Sequence, residues 1–191
     1  MDERKLVRLA QDGSEEAFAS LVRAYQARVY SMALNFTRNR EVADDLAQEV
    51  FLKTYLALPK FRFHSEFGTW LYRIAVNHIK DYLRRKGRAK EVPLDDVREI
   101  ANAGEEETLV REKERSAEAR RGLVLKVLQA LPEKYRVILT LRDIQGMPYD
   151  QIASVLKISP GTVDSRLHRA RKMLRLKLGP YLTPEGGYDA V

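Results

Sequence analysis

The chain has 191 residues, of which 45% are hydrophobic and 32% charged, and it carries a net charge of +7 and no cysteine. This length and composition allow one domain or two small ones with a hydrophobic core, and the lack of cysteine excludes disulfides, thiol catalysis and cysteine-ligated zinc. A basic protein with a pI of about 9.6 is expected either to bind a polyanion, such as nucleic acid or an anionic membrane surface, or to have no such partner.

The N-terminal segment MDERKLVRLAQDGSEEAF is too charged for a signal peptide. No stretch approaches the roughly 18 apolar residues that a membrane span needs. These observations, with the lack of cysteine, predict a soluble, cytoplasmic protein that makes no direct membrane contact.

Charge is segregated along the chain. Residues 41–49 hold four acids and no base, whereas residues 60–90 hold nine Lys or Arg against two acids. Residues 91–118 hold ten acids against four bases, and residues 149–178 hold seven bases against two acids. Two basic blocks on either side of an acidic segment indicate a protein that grips one polyanion at two places.

Helical periodicity dominates the chain and no convincing strand alternation is present, so the predicted fold class is all-α. In chain order, helices are predicted from Ser14 to about residue 37, from Asn39 to Leu58, from about Phe67 to Lys86, from about Ala119, from Pro132 to Gly146, over 149–156 and over 160–177. Ser14 and Asn39 are expected N-caps, Pro59 a stop, and Gly87 the residue just after a helix end.

Residues 91–118 are acidic and poor in apolar residues, with one proline and one glycine. We therefore predict a flexible linker here. It divides the chain into two small helical domains, 1–90 and 119–178, followed by a disordered tail, 179–191.

The last two predicted helices have the pattern of a helix-turn-helix. Ser159 is the expected cap of the second helix and Pro160 its first residue. At about 100° per residue, one stripe is apolar and faces inward: Val163, Leu167, Ala170 and Leu174. The outward arc consists of Asp164, Ser165, Arg166, His168, Arg169 and Lys172. A helix of this kind reads bases in the major groove of DNA; the alternative is a basic face that is only solvated.

The predicted helix 67–86 carries a second cationic face. Opposite its apolar side lie Trp70, Arg73, Asn77, Lys80 and Arg84. The preceding loop adds Phe61, Phe63, His64 and Phe67. Aromatic rings beside a cationic groove suit unstacked single-stranded or flipped bases. The alternative is that the aromatic rings are core, which we expect for Phe67 and for one of Phe61 and Phe63.

The predicted helix 40–58 has an acidic face. It consists of the stripe Glu41, Asp45, Gln48 and Leu52, with Asp44 and Glu49 alongside. A metal site is disfavoured, because no histidine is near in sequence and the acids share one solvent face. The face is therefore either simply solvated or a docking surface for a basic protein, since it would repel nucleic acid.

Four segments together resemble the extracytoplasmic-function sigma factors of bacterial RNA polymerase. They are DDLAQEVFLKTY, FGTWLYRIAVNHIKDYLRRK, LPEKYRVILTLRDIQGMPYDQIA and SPGTVDSRLHRARKML, and the resemblance covers about residues 5–90 and 118–178. It implies a polymerase subunit that recognises and melts promoters in a stress or envelope response, without catalysis, cofactor or metal.

The resemblance implies sigma region 2 in residues 1–90 and region 4 in residues 119–178. Candidates for binding the β′ clamp helices of core polymerase are Asp44, Asp45, Gln48, Glu49 and Leu52. Candidates for melting and capturing the −10 strand are Phe63, His64, Trp70, Arg73, Asn77, Lys80 and Arg84. Candidates for reading the −35 duplex are Thr162, Asp164, Ser165, Arg166, His168, Arg169 and Lys172. Further implied features are a contact with the polymerase β flap, a linker along the RNA channel, and an anti-sigma factor.

Two positions depart from the family pattern. Many relatives have a basic residue at Asp164 and a serine cap at Pro148. We hypothesise that Asp164 accepts a hydrogen bond from a cytosine amino group or orients neighbouring cations, while repelling wrong phosphate registers. The alternative is an Asp164–His168 pair with no reading role.

Two other functions compete with a sigma factor. A stand-alone helix-turn-helix regulator would need a dimer interface, and it would use neither the acidic helix nor the aromatic face. A nuclease or recombinase would need convergent acids or a positioned Ser or Tyr nucleophile, and the sequence indicates neither.

Overall fold

The computed structural model describes residues 2–89 and 122–181, and over these ranges it is helical with no strand. The predicted linker 91–118 and the part of the predicted tail from residue 182 lie outside the described residues. None of the described helices is long and apolar enough to cross a membrane.

The described residues form an N-terminal unit of four helices and a C-terminal unit of four. The first unit contains α1 (Glu3–Gln11), α2 (Glu15–Thr37), α3 (Arg40–Ala57) and α4 (Phe67–Ala89). The second contains α5 (residues 122–129), α6 (Glu133–Leu139), α7 (Tyr149–Leu156) and α8 (Pro160–Leu178). Shorter turns are the 3-10 turns Leu58–Lys60 and Gly179–Tyr181 and the π turn Thr140–Ile144, which continues α6.

Three predicted caps are confirmed. The Ser14 hydroxyl accepts a hydrogen bond from the Ala17 N–H at 3.2 Å, and the Asn39 side chain accepts one from the Val42 N–H at 3.0 Å. Ser159 caps α8 in the same way, from the Thr162 N–H at 3.2 Å. These short polar side chains set where the helices begin because they satisfy amide groups that have no partner within the helix.

One helix was not predicted and three boundary predictions are wrong. The helix that was not predicted is α1, which Asp2 caps and whose buried residues are Val7 and Ala10. α4 continues to Ala89 through Gly87, since a glycine costs a helix only about 1 kcal/mol and does not force it to end. Pro132 is the N-cap of α6 instead of its first residue, and the tail starts with the 3-10 turn instead of disorder.

The core of the N-terminal unit lies where α2, α3 and α4 meet. Its fully buried large side chains are Leu21, Val29 and Met32 from α2, Leu58 after α3, and Leu71 and Ile79 from α4. Because Leu71, Ala75 and Ile79 recur at helical spacing on α4 and are all at most 1% exposed, the rotation of α4 about its axis is fixed. The opposite face of α4 is thereby directed away from this core.

The C-terminal unit packs α6, α7 and α8 around Ile138, Leu141, Ile152 and Leu167. The predicted inward stripe of α8 is confirmed: Val163, Leu167 and Ala170 are at most 1% exposed, and Leu174 is half-buried. Lys157 adopts the left-handed conformation (φ 53°) between α7 and α8, and Ile158 packs against the core. The geometry is that of the expected helix-turn-helix.

The two units contact each other where α7 packs on α4. The Arg73 guanidinium donates a hydrogen bond to the Ser154 hydroxyl at 2.7 Å. The Tyr72 hydroxyl donates to the Gln145 side chain at 3.2 Å, and the Gln151 amide donates to Glu66 at 2.7 Å. We call the contact between the two units the closed interface. It consists of these contacts of α7 and its neighbours with α4 and of a second group of contacts at the end of α2.

The closed interface continues at the end of α2. The Arg136 guanidinium lies 4.9 Å from the centroid of the Phe36 ring, and burial lowers the pKa of Arg136. Arg38 donates to the Lys126 carbonyl at 3.2 Å, and Gln129 donates to the Asn35 carbonyl at 3.1 Å. Several hydrogen bonds therefore cross between the units, beside buried apolar side chains of both units that form one contiguous cluster.

A tyrosine closes on Gly68 at the start of α4. A Cβ atom at this position would lie 2.7 Å from the Tyr25 hydroxyl oxygen and 3.1 Å from Cε1 of the same ring. The ring cannot easily yield, because it packs edge-on against Phe67 and Tyr72 and its hydroxyl donates to Glu3. Burial raises the pKa of Tyr25 well above its usual range, so the neutral phenol is the form that this site holds.

We therefore predict that Gly68→Ala lowers the free energy of unfolding of the N-terminal unit. Overpacking of about 1–3 kcal/mol outweighs the gain of about 1 kcal/mol in helix propensity. Thermal and urea unfolding monitored by circular dichroism measure the change. The control is Gly161→Ala on α8, where a Cβ atom meets nothing within 4 Å. Equal stability of Gly68→Ala and the wild type would contradict this packing.

The closed interface gives a second prediction. Ser154→Ala removes the acceptor of the Arg73 hydrogen bond. Such a bond contributes about 1–2 kcal/mol for a charged donor at a half-buried site. We therefore expect the population of molecules in which the two units are apart to increase several-fold. Spin labels on Lys53→Cys and Lys177→Cys, introduced into a chain that has no cysteine, report the distance distribution between the units.

The matched control is Ser20→Ala, because Ser20 accepts a similar hydrogen bond from Arg23 at 2.8 Å on the exposed side of α2. It removes a serine–arginine contact without touching the other unit. If Ser154→Ala and Ser20→Ala give the same distance distribution as the wild type, the Arg73–Ser154 contact does not hold the units together.

Candidate nucleic-acid and protein interfaces

The outward arc of α8 is accessible. Exposed members of the predicted −35 set are Asp164, Ser165, His168, Arg169 and Lys172, while Thr162 and Arg166 are half-buried. The hydroxyls of Ser159 and Thr162 are hydrogen-bonded to each other at 2.8 Å, so Thr162 also supports the cap. The structure thus brings the seven predicted residues onto one helix face, with the N-terminal half of that face free of other elements.

Asp164 lies in the second turn of this face and is exposed. Among the ion pairs of the described residues, none joins it to His168. The nearby ion pair of α8 is instead Arg171 with Asp143, at 2.6 Å, and the hydrogen bond to Asp143 raises the pKa of Arg171. That pair ties α8 to the π turn. The Asp164 carboxylate is exposed and therefore accessible to an external donor.

The cationic face of α4 is partly covered. Asn77 and Arg84 are exposed, whereas Trp70, Arg73 and Lys80 are half-buried. Arg73 is bound by Ser154 across the closed interface, and Arg84 pairs with Asp81 at 3.1 Å. A groove of about 590 Å³ remains open beside Asn77, Lys80 and Arg84. The predicted −10 residues therefore share one side of the molecule, but one of them has a partner in the other unit.

Four aromatic rings form a cluster beside this face. Phe61 lies 4.8 Å from Trp70 and 4.9 Å from Phe63 between ring centroids, and Phe67 lies 5.9 Å from Trp70. Phe61 and Phe67 are buried, at 7% and 3% exposure, which confirms the expectation that Phe67 and one of the other two are core. Phe63 is half-buried at the rim of the cluster, with the exposed His64 next to it.

Two arginines of α1 lie on Phe63, which sequence reasoning missed. Their Cζ atoms are 5.3 Å (Arg4) and 5.7 Å (Arg8) from the centroid of the Phe63 ring. A cleft of about 380 Å³ between α1 and the aromatic loop begins at this point. The missed signal was the amphipathic spacing of Leu6, Val7 and Ala10 after the capping residue Asp2, which predicts α1.

The acidic face of α3 is exposed at all five predicted positions: Asp44, Asp45, Gln48, Glu49 and Leu52. Gln48 donates a hydrogen bond to Asp44 at 2.7 Å. Although no histidine was expected nearby, Nε2 of the buried His78 of α4 lies 2.6 Å from a carboxylate oxygen of Glu49. This histidine is distant in sequence but reaches the acidic face because α3 packs against α4. It connects Glu49, a predicted polymerase-binding residue, to α4, the helix predicted to bind the −10 strand.

An apolar groove adjoins the acidic face, between α2 and α3. It encloses about 640 Å³ and is lined mainly by Phe18, Val22, Phe51, Leu52 and Tyr55. Leu52 is 59% exposed and Leu56 68% exposed, so large apolar side chains stand next to carboxylates. Such a mixture of apolar centre and charged rim is typical of a protein-binding surface.

Residues 2–89 and 122–181 contain no group of three or more histidine and acidic side chains that could hold a metal ion. The acids of α3 lie side by side on the outside of the helix and do not converge. The exposed carboxylates of α3 are therefore accessible to a positively charged partner molecule.

Comparisons with known proteins agree with this arrangement. The family model described as Sigma-70 region 2 matches residues 21–89, and that described as Sigma-70, region 4 matches residues 121–174. The first match covers most of α2 together with α3 and α4, and the second covers α5–α7 and most of α8.

Whole-length relatives are similar as well. The chain is 37% identical over 185 residues to the RNA polymerase sigma-H factor of Pseudomonas aeruginosa, covering 94% of this chain and 95% of that protein. It is 36% identical over 186 residues to the ECF RNA polymerase sigma-E factor of Escherichia coli strain K12, covering 95% of this chain and 97% of that protein.

Two solved structures share the fold. CnrH in complex with the cytosolic domain of CnrY matches with a TM-score of 0.71 and 27% identity, covering 94% of this chain and 99% of that chain. The sigma factor RpoE in complex with the anti-sigma factor NepR from Bartonella quintana matches with a TM-score of 0.67 and 22% identity, covering 85% and 96%.

The identity of 36–37% over nearly the whole length, together with the two family matches on the two helical units, establishes the family of this chain. The chain belongs to the ECF sigma factors of the sigma-70 family, and it is an RNA polymerase sigma factor.

Proposed function

We propose that the three surfaces divide the work of promoter recognition and melting among α3, α4 and α8, with no catalytic step in the chain itself. α3 docks on core polymerase, α8 binds the −35 duplex, and α4 with the aromatic loop captures the −10 strand. The observation that carries this proposal is the exposed acidic face of α3, since it repels DNA and suits a basic protein.

The partner of α3 is, by family resemblance, the clamp helices of the polymerase β′ subunit. The acids steer a basic surface toward the sigma factor, and Leu52 with the neighbouring groove supplies apolar area to bury. Buried apolar anchors carry most of the affinity of such contacts. Region 4 is expected to contact the β flap.

Capture of the −10 strand requires the closed interface to open. Arg73 is bound by Ser154 and Glu66 by Gln151, so α7 lies over part of the face that single-stranded DNA would use. The free chain should therefore bind promoter DNA weakly, and docking on polymerase should separate the two units.

An anti-sigma factor is a further partner that we propose. The relative CnrH, which has the same fold over 94% of this chain, was solved with the cytosolic domain of CnrY. A partner that contacts both units would stabilise the closed interface and keep α4 covered, because a ligand shifts an equilibrium toward the state that it binds better.

A stand-alone helix-turn-helix regulator is the alternative. It leaves the acidic face of α3 and the aromatic–cationic face of α4 without a role. A dimer in solution that binds duplex DNA tightly in the absence of polymerase would favour it. For a sigma factor we also propose a cytoplasmic location, where polymerase acts.

The docking surface gives a prediction for polymerase binding. Asp44→Lys with Asp45→Lys replaces attraction by repulsion on α3, and we expect the affinity for core polymerase to fall at least tenfold. Pull-down and run-off transcription with reconstituted holoenzyme measure the loss. Glu49 is left unchanged because it contacts His78, so that the packing of α3 on α4 is not disturbed.

The control for this experiment is Asp12→Lys with Glu16→Lys, which reverses two exposed acids of the same unit outside α3. Its polymerase binding should remain near that of the wild type. Normal binding by the α3 variant, with circular dichroism unchanged in both, would defeat the docking assignment.

Asp164 gives a prediction for promoter choice. Asp164→Ala should relax the preference at one base pair of the −35 element, by about 1–3 kcal/mol of discrimination, while general affinity for DNA rises because a like charge is removed. Holoenzyme selection from promoters with a randomised −35 element measures this.

Lys172→Ala is the comparison variant for Asp164, because an exposed lysine that binds phosphate should lose affinity evenly across sequences. An unchanged selected sequence for Asp164→Ala would exclude a reading role.

A further inference from the structure

α1 presents two guanidinium groups over one aromatic ring at the edge of the N-terminal unit. Arg4 and Arg8 are exposed, are one helical turn apart, and both lie within 6 Å of the Phe63 centroid. Among the described residues neither takes part in an ion pair. Both guanidinium groups therefore lie over the ring and remain accessible to an external anion.

Phe63 holds this position at a cost. Its φ of 57° lies in the left-handed region, which a bulky residue adopts only where the surroundings impose it. The ring packs on Phe61 at 4.9 Å, and Phe61 packs on Trp70. The strained residue therefore supports the arginines on one side and adjoins the aromatic cluster on the other.

A cleft of nucleotide size lies beside the arginines, and Arg4 lines it. It measures about 380 Å³, within the range of about 300–1,000 Å³ that ligand clefts occupy. Phe61, Phe63 and Phe67 contribute aromatic walls. Three carboxylates also line the cleft, and each already accepts a hydrogen bond: Asp2 from the Arg4 N–H, Glu3 from the Tyr25 hydroxyl and Glu66 from the Gln151 amide. Two like charges over one ring repel each other, and an anion between them would remove that repulsion.

We propose that Arg4 and Arg8 form a phosphate clamp on the single-stranded −10 DNA, at the nucleotide whose base lies in the cleft beside Phe61 and Phe63. This rests on the proposed role of the N-terminal unit in capturing that strand. Each guanidinium binds phosphate oxygens through its N–H edge while its face stays on Phe63. The clamp adds α1 to a DNA-binding surface that otherwise consists of α4 and the aromatic loop.

The test uses reconstituted holoenzyme with Arg4→Gln and Arg8→Gln, since glutamine keeps the helix propensity and removes the charge. The probe is a labelled non-template-strand oligonucleotide across the −10 region of the strongest promoter recovered by transcription of a genomic library. Affinity is measured over a series of salt concentrations. Each lost phosphate contact on single-stranded DNA makes the slope of log affinity against log salt shallower by about 0.7, so the double variant should be shallower by about 1.4.

Lys5→Gln is the matched control, because Lys5 is exposed on the same helix but is not among the cations over Phe63. Its slope should stay near that of the wild type. If Lys5→Gln changes the salt slope as much as an arginine variant does, the effect is a general electrostatic attraction to DNA, and the proposed clamp is wrong. An unchanged slope for the double variant, together with a lower melting temperature, would mean that the arginines only pack on Phe63, and would also overturn it.

Asn77→Ala separates this proposal from the one on which it rests. If Asn77→Ala weakens capture of the oligonucleotide and the double arginine variant does not, the clamp fails while the role of α4 stands. If both variants capture the strand and open the promoter as the wild type does, the assignment of the −10 site to this unit fails, and the clamp fails with it.

Discussion

Burial of the apolar side of α4 is the constraint on which the other surfaces depend. With Leu71, Ala75 and Ile79 sealed in the core, the helix cannot rotate, and its opposite side must carry the cationic groups together. The same packing brings His78 against Glu49 of α3 and Trp70 against Phe61. One buried stripe thus sets the relative positions of the acidic face of α3, the aromatic cluster and the cationic face of α4.

Separation of opposite charges onto different helices follows from the same arrangement. Carboxylates on the outside of α3 would weaken the grip on DNA if they shared a face with Arg73 or Lys80, and screening over about 8 Å at physiological salt would not remove that effect at contact distance. Asp44 and Gln48 line a pocket with residues of α2, whereas Glu49 lines a pocket with Arg84 and Arg85 of α4. The acidic face that we propose for docking and the cationic face that we propose for DNA therefore adjoin at Glu49.

Features that depend on neighbouring residues could be predicted from the sequence, whereas contacts between residues far apart in the chain could not. Capping by Ser14, Asn39 and Ser159, and the inward stripe of α8, depend on neighbours within a few residues and could be derived from spacing alone. The extension of α4 through Gly87 could not, since a helix interior tolerates a glycine at modest cost. The arginines over Phe63, the Glu49–His78 contact and the closed interface join residues far apart in the chain, so periodicity carries no information about them.

The hydrogen bonds across the closed interface suit a contact that must open. Hydrogen bonds such as those between Arg73 and Ser154 or Gln151 and Glu66 exchange with water on separation, so each costs only about 0.5–3 kcal/mol to break. A partner that prefers the open form by a few kcal/mol can therefore shift the equilibrium toward it. The apolar area buried between the units adds about 25 cal/mol per Å² to the free energy of opening, so we expect that the same preference of the partner must also offset this cost.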